Sequence, residues 1–301
     1  MDSLVSSRLR YANLIRERAA LRSDRLVRAL AQVPREDYLG PGPWKILRPP
    51  SLAVYVDTPS NDPIHIYDDV LVAIDPTRQL NNGLPSGLCK WIDSLELQEG
   101  ERVVHAGCGT GYYTALMAEV VGEKGRVVAI EYDPDLAARA KHNLSRLPFV
   151  EVVSADASIY DAGSADAIFI NAGASYPLSL WLNSLAPNGR LVVPLTRRAD
   201  SGEGLRRDPK RKVEDSSYGG IGFGMMVRIH RLTSGYDARI LSPVAVFSCA
   251  GAFDSEADRL LGAALDEYRL VDVRSLRRDD HDSDQSCRLH GRGYCFSTRA
   301  P

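Results

Sequence analysis

The stretch VVHAGCGTGYYTALMAEVV, residues 103 to 121, starts as an apolar run, passes three glycines within five residues and continues in a helical pattern. In doubly wound α/β sheets such a strand, turn and helix bind a ligand, because the turn brings backbone amides to the carboxyl end of the strand. Counted from Gly107, the sixth position is Tyr112, so the dinucleotide fingerprint fails, and no Gly-Lys-Ser/Thr follows for a phosphate loop. We therefore predict that Gly107, Gly109 and Gly111 pass close to an adenosyl group that carries no phosphate.

From residue 100 onward, short β-branched runs at 103–106, 127–131, 150–154, 166–171 and 190–195 alternate with helical segments. The alternation predicts an α/β fold, a doubly wound and mostly parallel sheet with helices on both faces. Two later runs, MMVRIHRL and ARILSPVAVFSC, flank Gly235 too closely for a helix and should pair antiparallel. We expect a seven-stranded sheet with an N-terminal helical region and a C-terminal extension.

The chain divides on composition into three predicted regions. Residues 1–85 form an N-terminal helical and substrate-facing region, residues 86–250 the cofactor-binding core, and residues 251–301 the C-terminal extension. The Arg-rich residues 1–40 are interpreted as domain helices rather than a transit peptide, since they contain acids, and residues 41–85 as Pro-rich and irregular. The charged, Gly-rich segment around residues 197–223 is expected to be a mobile, solvated loop, with an active-site lid or a local phosphate contact as the alternative.

Composition limits the partners and the compartment. A net charge of -2 gives no overall attraction to nucleic acid or anionic lipid, so neither is expected as a partner. Five scattered cysteines without a Cys-x-x-Cys pair indicate reduced thiols. With no apolar run of roughly 20 residues and no secretory signal pattern, a cytoplasmic protein is predicted. Oligomeric state is not indicated.

Two carboxylates stand at the ends of the next strands. Glu131 lies 20 residues beyond Gly111, where it can accept hydrogen bonds from both hydroxyls of a ribose. Asp156 ends the following strand, from which its side chain or a neighbouring backbone amide can reach an adenine amino group. Flanking residues are predicted to complete the cofactor site, namely His105, Ala106, Cys108, Tyr112, Tyr132, Ala157 and Asn171.

This arrangement resembles the class I S-adenosylmethionine-dependent methyltransferases, and residues 24 to 253 resemble the protein-L-isoaspartate O-methyltransferases. The resemblance rests on ALAQVPREDYLG, on the glycine stretch, on INAGASYPLSLWLNSLAPNGRLVVPL and on SPVAVFSCAG. It implies S-adenosyl-L-methionine as cofactor and a peptide, protein or small-molecule methyl acceptor. Tyr112 or Tyr113 could face the sulfonium while the other packs in the core.

The acceptor segment departs from the family pattern. Family members carry roughly Thr-Ile-Ser-x-Pro before the helix that precedes the cofactor strand, whereas this chain reads LNNGLPSG, with Gly83 in place of the serine. Aligned on Pro85, the candidate catalytic residues are Asn81, Asn82 and Ser86. The resemblance thus implies the cofactor more firmly than the isoaspartyl acceptor.

The chemistry of methyl transfer limits which chemical group is the methyl acceptor. A carboxylate is already a nucleophile at neutral pH and needs no base, whereas an amine or hydroxyl requires one. Base candidates are His65, Asp68, Asp69 and Asp75, but none has a diagnostic spacing, and a surface turn residue is the favoured interpretation of each. The lack of a convincing base, together with the resemblance to enzymes whose acceptor is a carboxylate, predicts carboxyl O-methylation.

Three alternatives stay open: a methyltransferase acting on a small-molecule or peptide intermediate of a biosynthetic pathway, a nucleic-acid methyltransferase, and a non-catalytic adenosyl-binding module. The second is disfavoured because NAGASYP stands where an Asn/Asp-Pro-Pro-aromatic motif would grip a base. In the tail, the residues His281, Cys287, His290 and Cys295 match no zinc-finger spacing, so no metal site is predicted.

Overall fold

Strands and helices alternate through most of the chain. The computed structural model describes residues 3–49, 51–198 and 220–301, and the side chains of residues 51–53 are left out of this description. The predicted loop or lid at residues 197–223 therefore lies almost entirely outside the described residues. No helix among those described combines the length and apolar composition needed to cross a bilayer.

The described chain forms two compact units. The first contains Met1–Val103 and Cys108–Ser154, and the second contains Val104–Gly107 and Ala155–Pro301. These units do not follow the boundaries predicted at residues 85 and 250. The chain passes into the second unit at Val104, returns to the first at Cys108 and enters the second again at Ala155. The division into three regions stays a prediction.

The first unit begins with helices and continues with two sets of strands. Its elements in chain order are α1 (Ser3–Ala19), α2 (Asp24–Gln32), β1 (Lys45–Arg48), β2 (Ser51–Asp57), β3 (Leu71–Asp75), β4 (Leu80–Asn81), α3 (Pro85–Asp93), the start of β5 (Arg102–Ala106), α4 (Tyr112–Val121), β6 (Arg126–Glu131), α5 (Pro134–Asn143) and β7 (Val150–Ser154). Strands β6 and β7 pair in parallel, as the alternation predicts. The Arg-rich segment forms α1 and α2, and α1 buries Tyr11, Ala12 and Ile15.

A four-stranded sheet replaces the irregular region expected at residues 41–85. Its strands lie in the order β2-β1-β3-β4 and pair antiparallel. The prolines misled the prediction because they stand in turns: Pro63 and Pro76 each open a short 3₁₀ helix, capped by Asp62 and Asp75. A small apolar core that includes Trp44 forms beneath these strands.

The second unit contains the remaining strands and the C-terminal extension. Its elements are β8 (Ala165–Ile170), α6 (Ser179–Asn183), β9 (Leu185–Arg198), β10 (Ile221–Leu232), β11 (Gly235–Phe247), α7 (Ser255–Asp266), β12 (Ser275–Arg277), β13 (Cys287–Gly291) and β14 (Tyr294–Ser297). Strands β8 and β9 are parallel, while β10 pairs antiparallel with β9 and β11, which confirms the hairpin predicted at Gly235.

The extension enlarges the sheet that the sequence predicts. Strands β5 to β11 supply the seven expected strands, and β12 pairs with β11 and continues to β14 and β13. The added strands have only three to five residues each and lack a sustained apolar alternation, which is why sequence patterns did not indicate them.

Candidate active site

The glycine turn of the first unit has one open position. A Cβ added at Gly109 would meet no heavy atom within 4 Å, and the backbone there has a φ of +57°. At Gly111, by contrast, a Cβ would lie 2.8 Å from Leu144 Cδ1. Gly111 is therefore required for packing against the end of α5, while Gly109 leaves its backbone accessible to a ligand.

Gly107 has a different role, which belongs to the second unit. A Cβ there would lie 3.1 Å from the carbonyl oxygen of Asn171. The Asn171 amide N–H donates to the Ala106 carbonyl at 2.8 Å, and its side-chain Nδ2 donates to the Gly107 carbonyl at 3.4 Å. Gly107 thus permits the residues after β8 to approach the end of β5.

Glu131 is held against the glycine turn. Its carboxylate accepts hydrogen bonds from the Gly109 amide at 2.7 Å and from the Asp133 amide at 3.1 Å. Only 6% of the residue is exposed, and burial, with a contribution from the charge on Asp133, raises the pKa of Glu131 despite these hydrogen bonds. A fixed, poorly hydrated carboxylate beside an open backbone position suits recognition of a diol.

Other predicted cofactor residues differ in accessibility. The His105 ring is fully buried against Phe169, and burial lowers its pKa to about 3, so it is neutral at pH 7. Cys108 and Tyr112 are also buried, whereas Tyr132 is 47% exposed. Of these four, only Tyr132 presents a substantially accessible side chain, and the other three can contribute mainly through their backbones or through packing.

Asp156 belongs to a tight cluster in the second unit. Its Oδ1 accepts from the Ser158 amide at 2.8 Å, and the Trp181 indole donates to the Ala157 carbonyl at 2.8 Å. A Cβ at Gly251 would lie 2.1 Å from Ser158 Oγ and 3.0 Å from Asp156 Oδ2. The sequence analysis missed Ser158 and Gly251, because no local pattern connects positions so far apart in the chain.

The segment LNNGLPSG is organised around Gly83. The side-chain Oδ1 of Asn81 accepts from the Gly83 amide at 2.9 Å, and the Tyr113 hydroxyl donates to the Gly83 carbonyl at 3.3 Å. Gly83 has a φ of +79°, and a Cβ there would lie 2.8 Å from Leu88 Cδ2. The position where relatives are expected to carry serine thus has a backbone conformation that favours glycine, and Tyr113 joins this segment to helix α4.

Asn82 is held by a buried arginine. Arg35 is fully buried, and its guanidinium donates to Asn82 Oδ1 at 2.8 Å and to the carbonyls of Ile66, Asp68 and Val70 at 2.6 to 3.1 Å. It also lies 5.7 Å from the centre of the Tyr11 ring. Arg35 stands in the VPRED motif, so this motif holds Asn82 and with it the segment LNNGLPSG, a connection that sequence alone did not reveal.

The candidate bases are engaged in structural contacts. Asp69 is buried, and its carboxylate accepts from the Ser86 amide at 2.9 Å and faces Arg18 at 3.2 Å. Burial raises the pKa of Asp68, but its hydrogen bonds, above all from Arg48, outweigh this effect and lower it.

The other two candidates are also held by local contacts. Hydrogen bonds from Thr77 are the main cause that lowers the pKa of Asp75. His65 contacts the Ser60 hydroxyl at 3.1 Å. A carboxylate with a lowered pKa is a weak proton acceptor, so neither Asp68 nor Asp75 is tuned for base catalysis.

Comparison with known proteins identifies the family. The sequence profile of the protein-L-isoaspartate(D-aspartate) O-methyltransferase family (PCMT) matches residues 10–218. The chain belongs to the PCMT family. Among its curated PCMT relatives, the protein-L-isoaspartate O-methyltransferase of Thermotoga maritima is 30% identical over 197 residues, which cover 62% of this chain. The match spans only 56% of the length of that relative.

Solved structures confirm the predicted fold. A protein-L-isoaspartate O-methyltransferase structure matches 90% of this chain and 72% of its own, with a TM-score of 0.58 and 21% identity. A PCMT-type protein from Plasmodium falciparum, in complex with S-adenosyl-L-homocysteine, matches 80% of this chain and 97% of its own, with a TM-score of 0.55 and 18% identity. The PCMT chain therefore has the Rossmann-like methyltransferase fold, with N-terminal helices and additional C-terminal strands.

Proposed function

We propose that this chain is an S-adenosylmethionine-dependent methyltransferase that methylates a carboxylate of a peptide or protein. The observation that carries the proposal is the Glu131 carboxylate, held 2.7 Å from the amide of the open Gly109 in a member of the PCMT family. Glu131 would accept the ribose hydroxyls, and the uncovered backbone at Gly109 would let the adenosyl group approach. The S-adenosyl-L-homocysteine bound by the Plasmodium falciparum relative supports the same cofactor here.

The residues fit a reaction without proton transfer. When bound, the cofactor supplies an electrophilic methyl group on a sulfonium. Because a carboxylate oxygen is already a nucleophile, the task left to this chain's own residues would be to align that oxygen with the methyl group and to exclude water. Asn81 and the Ser86 hydroxyl are the polar side chains proposed to orient the acceptor, and Asn82 keeps its place through Arg35.

A second candidate is the N- or O-methylation of a small-molecule or peptide intermediate of a biosynthetic pathway. It is favoured by Gly83, which stands in place of the family's serine, and by the four-stranded sheet β1–β4 that leads into this segment.

Acceptor transfer and cofactor binding can be tested separately. With methyl-labelled S-adenosylmethionine and two peptides that differ only in an isoaspartyl or aspartyl residue, we expect label on the isoaspartyl peptide. Asn81→Ala should lower turnover and leave the affinity for S-adenosylhomocysteine unchanged, as measured by calorimetry. Label on neither peptide, but on a small molecule in cell extract, would favour the second candidate. Binding without any transfer would indicate a non-catalytic module.

A further inference from the structure

The C-terminal extension gathers four metal-binding side chains. One ligand atom from each of His281, Cys287, His290 and Cys295 lies within 4.8 Å of the other three. The sequence predicted no metal here because the order and spacing of these residues match no zinc finger. The folded chain brings them together nevertheless, and the family profile ends at residue 218, well before them.

A strand irregularity puts the ligands on one face. In a regular strand, Cys287 and His290 would point to opposite faces, because side chains alternate. The pairing of β13 with β14 shifts between Cys287 and Leu289, so one extra residue is accommodated there. Such a bulge restores both side chains to the same face, and Cys295 on β14 lies directly opposite His290. His281 reaches the cluster from the segment before β13.

The distances between the ligand atoms suit a tetrahedral zinc site. Zinc bonds of about 2.0 to 2.3 Å at tetrahedral angles place ligand atoms roughly 3.3 to 3.8 Å apart. Cys287 Sγ lies 3.8 Å from His281 Nε2. The rings of His281 and His290 are centred 4.9 Å apart. Small side-chain rotations would close these atoms around an ion.

The hydrogen bonds around the cluster also point to a cation. His281 Nδ1 lies 2.9 Å from the Asp279 carbonyl oxygen and 3.4 Å from its carboxylate. A metal-binding histidine typically donates its other ring N–H to such an oxygen, which leaves Nε2 for the ion. His290 Nδ1 is buried and has no hydrogen-bond partner within the described part of the chain. A cation in the cluster would remove the cost of an unpaired buried nitrogen if that nitrogen is the ligand.

We propose that His281, Cys287, His290 and Cys295 bind one Zn²⁺ in a closed, four-coordinate site. Two thiolates and two imidazoles at tetrahedral spacing are the ligand set of structural zinc, and the thiolates balance the charge of the ion. The ion joins β13, β14 and the segment before them, so it stabilises the C-terminal extension. This site does not depend on the proposed methyltransferase function.

Metal analysis of the full-length chain tests the site. The protein is purified under reducing conditions, incubated with zinc and exchanged into metal-free buffer. We expect about one zinc per chain by mass spectrometry of the metal. Replacement by Co²⁺ should give thiolate-to-cobalt charge-transfer bands and intense tetrahedral d–d bands. Cys287→Ser and Cys295→Ser should lose both signals, while Cys249→Ala and His142→Ala, outside the cluster, should retain them.

The site would be overturned by reduced wild-type protein that retains no zinc, by a cobalt spectrum without thiolate bands, or by full zinc binding in the double variant of Cys287 and Cys295. A disulfide between these two cysteines in zinc-treated, reduced protein, detected as a crosslinked peptide, would also contradict it. The cobalt spectrum of the wild-type chain decides the question even where a variant fails to fold.

Discussion

Individual residues explain why three glycines stand so close together. Gly107 allows the Asn171 carbonyl to approach, Gly111 makes room for Leu144, and Gly109 alone leaves an open face. Spacing could predict that the turn needs glycine, but it could not assign these separate reasons, since two of them depend on residues outside the motif. The proposed cofactor contacts therefore concentrate on Gly109 and on the carboxylate beside it.

Glu131 should make cofactor binding depend on pH. In the proposed site the ionised carboxylate would accept from both ribose hydroxyls, and burial raises the pKa of Glu131 above the ordinary 4.5. Affinity for S-adenosylhomocysteine should therefore fall as the pH drops through this raised pKa, at a higher pH than an exposed glutamate would show. Calorimetry across the acidic range measures this fall.

Two substitutions sharpen the test of Glu131. Glu131→Ala should weaken binding by about 1–3 kcal/mol, as expected for the loss of a charged acceptor. Glu131→Gln should remove the pH dependence assigned to this group, and Glu123→Gln, at an exposed position, should change neither quantity. Full affinity in the Glu131→Ala protein would exclude the ribose assignment.

Replacing Gly83 by the family's serine should lower the stability of this protein. Gly83→Ser places a side chain at a φ of +79° and close to Leu88, so we expect a loss of about 1–2 kcal/mol in the free energy of unfolding. Gly87→Ser is the matched control, because a Cβ there meets only Trp91, at 3.9 Å and beyond. Urea unfolding compares the two. Equal stability of both variants, with higher transfer to isoaspartyl peptide in Gly83→Ser, would contradict our account of this segment.

At the scale of elements, the acceptor segment depends on a short 3₁₀ helix distant in sequence. Arg35 opens the helix Arg35–Tyr38 and hydrogen-bonds three carbonyls in residues 66–70 as well as Asn82. The sequence indicated VPRED only as a family motif. Its physical role depends on partners about 31 to 47 residues away, which local periodicity does not report.

Arg35→Leu should destabilise the first unit strongly. The substitution leaves buried carbonyls without donors, and we expect the free energy of unfolding to fall by about 3–5 kcal/mol. Arg28→Leu, at an exposed position on α2, should stay within about 0.5 kcal/mol of wild type. Denaturant unfolding followed by circular dichroism measures both. A loss below about 1 kcal/mol for Arg35→Leu would show that the network contributes little.

For the whole molecule, the sequence predicted the central sheet far better than its additions. The runs of β5, β6 and β8 are buried and apolar, so their pattern is strong. The sheet β1–β4 was missed because prolines in its turns resembled an irregular segment, and β12–β14 were missed because they are short. The same reasoning applies to the site: Glu131 is the last residue of the regular strand β6, whereas Ser158 and Gly251 meet only in the folded chain.

This molecule is proposed to make a carboxyl methyl ester, and the chemical stability of its product tests that proposal most directly. The product formed with methyl-labelled S-adenosylmethionine is isolated and brought to mildly alkaline pH. An ester should hydrolyse and release the label as volatile methanol, and the Glu131→Ala protein, assayed below saturating cofactor, should form less of this product. Label that remains bound to the acceptor under these conditions would show an N-methyl or ether product, and would contradict the carboxylate assignment.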